Sequence, residues 1–310
     1  MFEIADRLLA AYAAGKPIVV ATAIAIEGSA PRTVGTSMAF DGVSVIGSIA
    51  GGCVEGAVVE IAADVLADGM PRTVDYGVSD ETAFSVGLTC GGDLRVHVQL
   101  LTPALVESLR NGTDLEVCAD FTEQAPVERR MIILGAMEYS AALAAASIPL
   151  GYRVTVCDPR SLFATPARFP GAEVVVEWPP VYLARTTIDE NTVICVLSHD
   201  WRFDAEAVAI ALASPAGFVG AMGSRTTHDR RVASLAELGV PAERLHSPIG
   251  LDLGASTPEE TAVSILAEVI AARTGRSTMP LGETRGSIHS VGDAAVHAAV
   301  TPSRTVVRDA

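Results

Sequence analysis

The second half of the chain constrains the fold most. Short apolar runs alternate there with helical patterns. Strands are expected over 131–134, 152–157, 174–176, 192–197 and 217–220, and helices over 139–150, 205–213, 226–238 and 258–273. These runs are apolar at successive positions rather than at alternate ones, so both faces of the sheet they form must be covered. Strand–helix alternation with such strands yields a parallel sheet with helices on each face. A Rossmann-like, doubly wound parallel-sheet domain is therefore expected over 131–275.

The first half reads differently. A helix is expected over 4–14, a buried strand over 18–26, and a hairpin over 37–46 around Asp41-Gly42. A helix over 54–68 stops at Gly69 and Pro71. Residues 72–75 read as a short strand. Then Leu94, Val96, Val98 and Leu100 alternate with Arg95, His97 and Gln99, a half-exposed strand with His97 as a surface residue. A short helix over 103–110 completes a mixed α/β domain of residues 1–110. Residues 111–130 are polar and acidic and are expected to be a linker. Residues 276–310 lack periodicity and are expected to form a poorly ordered tail.

A net charge of −15 argues against general binding to nucleic-acid phosphates or anionic membranes. The first 14 residues lack the basic start and small-residue cleavage site of a signal peptide. The apolar run at 17–26 is too short to span a bilayer, so a soluble cytoplasmic protein is expected. The five cysteines are odd in number and include no C-x-x-C; neither a disulfide framework nor a structural zinc is expected. Cys157 and Cys195 fall within apolar strands and read as core residues.

Chemistry concentrates in Gly47-Ser48-Ile49-Ala50-Gly51-Gly52-Cys53-Val54-Glu55-Gly56, which reads as strand end, glycine loop and helix start. Glycines let the backbone approach a ligand closely, and free N–H groups at a helix start attract anions. A thiol there feels the positive end of the helix dipole, which favours thiolate. The plainer reading is a strand-to-helix turn with a small buried cysteine. A second thiol lies in Thr89-Cys90-Gly91-Gly92-Asp93, within a long irregular stretch over 76–92.

In the second half a dinucleotide fingerprint would place G-x-G-x-x-G after the first strand. The chain has Gly135-Ala136-Met137-Glu138-Tyr139-Ser140, so only the first glycine is present. Asp158 ends the second strand, where a ribose-binding acid would sit, and Arg225 follows a later strand end as a potential phosphate donor. The fold signal is strong and the nucleotide signal is weak.

One ordered set of motifs remains: Gly28-Ser29-Ala30-Pro31-Arg32, Gly51-Gly52-Cys53-Val54-Glu55, Cys90-Gly91-Gly92, Gly151-Tyr152-Arg153-Val154, Phe163-Ala164-Thr165, Arg168-Phe169-Pro170, Gly220-Ala221-Met222-Gly223-Ser224-Arg225, and Pro248-Ile249-Gly250-Leu251-Asp252-Leu253-Gly254-Ala255 with Thr257-Pro258-Glu259-Glu260. Together they resemble the XdhC/CoxI family, over roughly residues 1–273. The resemblance implies an accessory protein that binds molybdenum cofactor, assists its sulfuration with a cysteine desulfurase and delivers it to an apo molybdenum hydroxylase, xanthine dehydrogenase or carbon monoxide dehydrogenase. Such proteins often carry the name of the enzyme they serve. This chain has no cysteine set for iron–sulfur clusters and is too short for flavin, cluster and molybdopterin domains together.

On that resemblance, Cys53 and Cys90 are the expected molybdenum or persulfide ligands. Arg32, Gly51, Gly52, Glu55, Gly91 and Gly92 are expected around the cofactor, the loop amides holding its phosphate, and Gly135, Asp158 and Arg225 form a second cofactor-binding set. The loops around Arg32, Cys53 and Cys90 are expected to converge, and a homodimer is expected. The rival readings are an NAD(P)-binding oxidoreductase and a sulfur or nucleotidyl transferase.

Overall fold

The computed structural model describes residues 1–27, 32–52, 54–77 and 93–285. The chain divides into two units, Met1–Pro126 with the residues from Pro280 on, and Val127–Met279.

The first unit is mixed α/β, built on a five-stranded sheet in the order β3-β2-β1-β5-β4. Its strands are β1 (Val19–Glu27), β2 (Ser37–Phe40), β3 (Val45–Gly47), β4 (Arg72–Tyr76) and β5 (Asp93–Leu100), and every pairing is antiparallel. The alternation of β1 decides its layers. Val19, Ala21 and Ala23 pack under Val58, Ala62 and Val65 of α2 (Glu55–Asp68). Val20 faces the other way, with Leu8 of α1 (Ala5–Ala13) and Leu105, Val106 and Leu109 of α3 (Pro103–Asn111).

Residues 111–130 depart from the expected linker. They carry a hairpin of β6 (Leu115–Cys118) and β7 (Phe121–Glu123). Leu115 and Val117 are buried in the core shared with α1 and α3, and Gln99 Nε2 donates to the Val117 carbonyl at 2.7 Å. Glu123 accepts from the Met1 ammonium at 2.6 Å and from the Phe2 amide at 3.2 Å. Polar residues alternate with the two inward apolar ones, so average composition hid a short strand. His97 is partly buried rather than a plain surface residue: its Nδ1 lies 2.9 Å from Thr73 Oγ1, and burial lowers its pKa.

The second unit is Rossmann-like. Six parallel strands, β8 (Arg129–Leu134), β9 (Tyr152–Cys157), β10 (Glu173–Val175), β11 (Thr192–Val196), β12 (Phe218–Ala221) and β13 (Leu245–His246), stand in the order β10-β9-β8-β11-β12-β13. Counted from β8 this is 3-2-1-4-5-6, the dinucleotide-fold order, and its direction reverses between β8 and β11. Met131, Ile133, Val154 and Cys195 face α4 (Glu138–Ser147) and α8 (Pro258–Thr274). Ile132, Leu134, Ile194 and Val196 face α5 (Pro179–Arg185), α6 (Asp204–Ala213) and α7 (Arg225–Glu237). Helix α5 was not expected from the sequence; it begins with two prolines, which suit the first turn, where backbone N–H groups have no helical partner. The Thr257-Pro258-Glu259-Glu260 motif is a capping box. Thr257 Oγ1 accepts from the Glu260 amide, and the Glu260 carboxylate accepts from the Thr257 amide, both at 3.2 Å. Among the described residues no helix is long and apolar enough to cross a membrane.

Candidate functional site

Strand register in the first unit brings the motif-bearing segments to one end of the sheet. Glu27 of β1 pairs with Asp93 of β5, Ser37 of β2 with Thr22, Gly47 of β3 with Met38, and Tyr76 of β4 with Leu94. The chain therefore leaves or enters the sheet at that same end for 28–36, which includes Arg32, for 48–54, which includes position 53, and for 77–92, which includes position 90. From β3 to β4 the sheet is four strand spacings wide, about 19 Å. Cys53, Cys90, Gly91 and Gly92 themselves lie outside the described residues, as does the expected tail beyond 285.

The loop before α2 is organised by Glu55, one of the residues expected around the cofactor. Glu55 Oε1 accepts from Ser48 Oγ at 2.6 Å and from the amides of Ile49 and Ala50 at 3.1 and 2.9 Å. Its Oε2 accepts from the amides of Gly52 at 2.8 Å and Val54 at 3.2 Å, the two residues flanking position 53. Ser48 Oγ in turn accepts from the Gly51 amide at 3.1 Å. Gly51 and Gly52 take φ of 72° and 110°, a left-handed turn that needs glycine although a Cβ at either would meet nothing within 4 Å. Burial of Glu55 alone would raise its pKa, but the hydrogen bonds from Ser48, Ala50 and Gly52 outweigh burial and hold the carboxyl down to about 2.

These hydrogen bonds weigh against the expected phosphate cradle. The amides of 49, 50, 52 and 54 already serve the chain's own carboxylate, and that of Gly51 serves Ser48. An added phosphate would compete with a fixed negative charge for donors already engaged. The available sequence signal was an acid at the first helical position behind two glycines. Arg32 is paired at the surface with Glu3, Nη2 to Oε2 at 2.5 Å. Both side chains are well exposed, so the pair is weak and its guanidinium can turn to another anion.

In the second unit Gly135 and Asp158 lie at the ends of the adjacent strands β8 and β9, each held by contacts within the chain. Gly135 takes φ 106°, and a Cβ there would lie 2.9 Å from the Ser198 amide nitrogen and 3.0 Å from Ser198 Cα. The turn after β8 thus lies against the turn after β11. Gly135→Ala is expected to cost about 2 kcal/mol or more through strain and displacement of that contact, read as a lower urea midpoint. Asp158 Oδ2 accepts from the Ala136 amide at 2.7 Å, and both its oxygens accept from the Arg160 side chain at 2.9 and 2.7 Å. Burial alone would raise its pKa; the Arg160 side chain and the amides of Ala136 and Arg160 hold it below the ordinary value. The carboxylate expected to bind a ribose is thus turned inward. Arg225 is exposed at the start of α7 and makes no ion pair among the described residues.

Cys157 and Cys195 are core thiols. Burial, with a smaller contribution from Glu177 beside Cys157 and from Glu268 near Cys195, pushes each up to about 12. Iodoacetamide at about pH 8 is expected to label neither in the folded protein and both in urea, by peptide mass spectrometry.

The family comparisons follow this division of the chain. The XdhC Rossmann domain family matches residues 131–269, and the XdhC and CoxI family matches residues 11–77. The chain belongs to the XdhC and CoxI family. It is 26% identical over 294 residues to the molybdenum cofactor insertion chaperone PaoD of Escherichia coli K12, covering 85% of this chain and 86% of that one. It is 25% identical over 311 residues to a probable xanthine dehydrogenase subunit of Bacillus subtilis 168, covering 82% and 93%. Against the uncharacterized protein YqeB of E. coli K12 it is 27% identical over 260 residues, but the chain spans only 43% of that relative's length. A crystal structure of a xanthine dehydrogenase from Bacillus halodurans has the same fold, with a TM-score of 0.73 at 24% identity over 88% of this chain and 97% of that one.

Proposed function

We propose that this family member is a molybdenum cofactor insertion chaperone for an enzyme of the xanthine dehydrogenase type. It holds the cofactor as cargo at the loop end of its antiparallel sheet, assists its sulfuration with a cysteine desulfurase, and delivers it to the apo-enzyme. One observation in the structure supports the reading: the strand ends that flank the segments containing Arg32, Cys53 and Cys90 lie at the same end of the sheet. The names of two relatives along most of the chain support it.

Within this reading Cys53 and Cys90 supply soft sulfur for molybdenum or for a persulfide in transit. Glu55 shapes the loop on both sides of position 53. Arg32, released from Glu3, is a cation available to the cofactor's phosphate, with Gly91 and Gly92 offering close backbone approach. The chain acts as a homodimer in the cytoplasm. A dehydrogenase reading draws support from the strand order, but Met137 and the inward Asp158 weigh against a dinucleotide on the turn after β8.

The test is reactivation of an apo molybdenum hydroxylase by free cofactor and a cysteine desulfurase, with and without the chain. A severalfold larger reactivated fraction in its presence is expected; an unchanged yield and rate would count against the reading.

A further inference from the structure

Two cavities of the second unit adjoin at one pair of residues. The first, about 430 Å³, lies at the carboxyl ends of β8, β9 and β11, between Met137, Arg160 and the segment following Ser198. The second, about 490 Å³, lies between α6 and α7 and is lined by Asp204, Thr227, Arg230 and Arg231. His199 and Trp201 line both. Each volume is in the range that takes a small organic ligand.

The charges of this cleft are unevenly satisfied. Every carboxylate lining it has an arginine of its own: Asp158 with Arg160, Asp200 with Arg202, and Asp204 with Arg231. Arg230 has none. Its one hydrogen bond is from Nε to the Thr226 carbonyl of its own helix, at 3.5 Å, and no acid among the described residues pairs with it. His199 is exposed and makes no hydrogen bond among the described residues. Trp201, beside it, is 85% exposed, an unusual position for the largest apolar side chain in a folded domain. The groups left over are thus a bare indole face, a free guanidinium and an imidazole.

We infer that this cleft binds a planar heteroaromatic ring carrying a phosphate monoester. The ring stacks on Trp201, the phosphate takes the paired donors of Arg230, and His199 supplies a further donor. The cleft reaches Met137 on the turn after β8, but the contacts inferred here are His199, Trp201 and Arg230 rather than the amides of that turn, of which Asp158 already takes that of Ala136. Two sources share this chemistry, a nucleoside monophosphate and a phosphorylated pterin. The pterin source rests on the chaperone reading above; the nucleotide source does not.

The full chain is titrated by calorimetry with AMP, CMP, neopterin monophosphate, adenosine and inorganic phosphate. Wild type is compared with Trp201→Ala, Trp201→Phe and Arg230→Ala, whose side chains are exposed and whose folding is checked by circular dichroism. At least one phosphorylated ring is expected to bind one-to-one. Trp201→Ala and Arg230→Ala should each weaken it about tenfold or more, the loss that removing a stacking or charge-assisted contact gives, and Trp201→Phe should retain most of it. AMP or CMP binding without the pterin assigns a nucleotide site, and the reverse assigns the pterin. No binding by any phosphorylated ring, binding indifferent to both alanine variants, or equal binding of inorganic phosphate alone would each overturn the inference. Cofactor retention by Cys53→Ala and Cys90→Ala is scored separately, so loss of one reading leaves the other standing.

Discussion

Replacing Glu55 by alanine is expected to lower the stability of the first unit by about 3 kcal/mol, because four amides and a hydroxyl lose one acceptor together. For a unit of this size that is a fall of roughly 10 °C in Tm. Glu55→Gln is expected to lose less, since one amide oxygen still accepts, but without the charge that strengthens the hydrogen bonds. The two variants also separate in pH dependence. The carboxyl is held at about 2 against an ordinary 4.5, so the folded state binds fewer protons than the unfolded chain in between. Its contribution is complete above about pH 4.5 and is lost as pH falls toward 2. The stability gap between wild type and Glu55→Gln should therefore be constant at neutral pH and close on acidification through that window, measured by urea denaturation at each pH. A gap independent of pH would mean that the carboxylate does not hold the loop.

Arg231→Ala is expected to have the larger effect, about 3–5 kcal/mol in the second unit. Its side chain is 1% exposed. It donates from Nε and Nη2 to the two oxygens of Asp204, each at 2.8 Å, from Nη1 to Ser247 Oγ at 3.0 Å, and from Nη2 to the Met222 carbonyl at 3.1 Å. One guanidinium thus joins the start of α6 to the segments after β12 and β13. Removing it strands a carboxylate and a carbonyl with no donor. Arg231→Met combined with Asp204→Asn should recover part of the loss, because no charge is then left unpaired. Chemical denaturation of the three proteins distinguishes a buried pair from a spectator contact, which would show less than about 1 kcal/mol.

The elements that could be read from sequence were those whose apolar pattern is long or uninterrupted. The strands around Ile132, Val156 and Ile194 announced a sheet covered on both faces. The alternation of Leu94, Val96 and Val98 announced a strand packed on one side. What escaped was short or depended on partners distant in the chain. Leu115 and Val117 are only two inward residues in a polar stretch, and their burial depends on α1 and α3. The proline pair that opens α5 reads as a breaker until its place at the first turn is known.

The site followed the same rule. The glycine turn before α2 was legible as a loop at a helix start, but the occupant of its amides was not. An acid at position 55 pointing back at its own loop and one pointing to solvent have the same sequence. Likewise Asp158 stood where a ribose-binding acid would stand, and only the geometry of Arg160 and the Ala136 amide shows it turned inward. Trp201 and Arg230 carry no motif; they come together through the packing of α6 beside α7.

The most direct measurement is cofactor retention. The chain is incubated anaerobically with molybdenum cofactor and desalted, and the bound pterin and molybdenum are assayed for wild type, Cys53→Ala and Cys90→Ala. About one cofactor per chain on the wild type, falling at least tenfold in one or both cysteine variants while their Tm is unchanged, is the expected result. A wild type that emerges from the column without pterin or molybdenum would contradict the account.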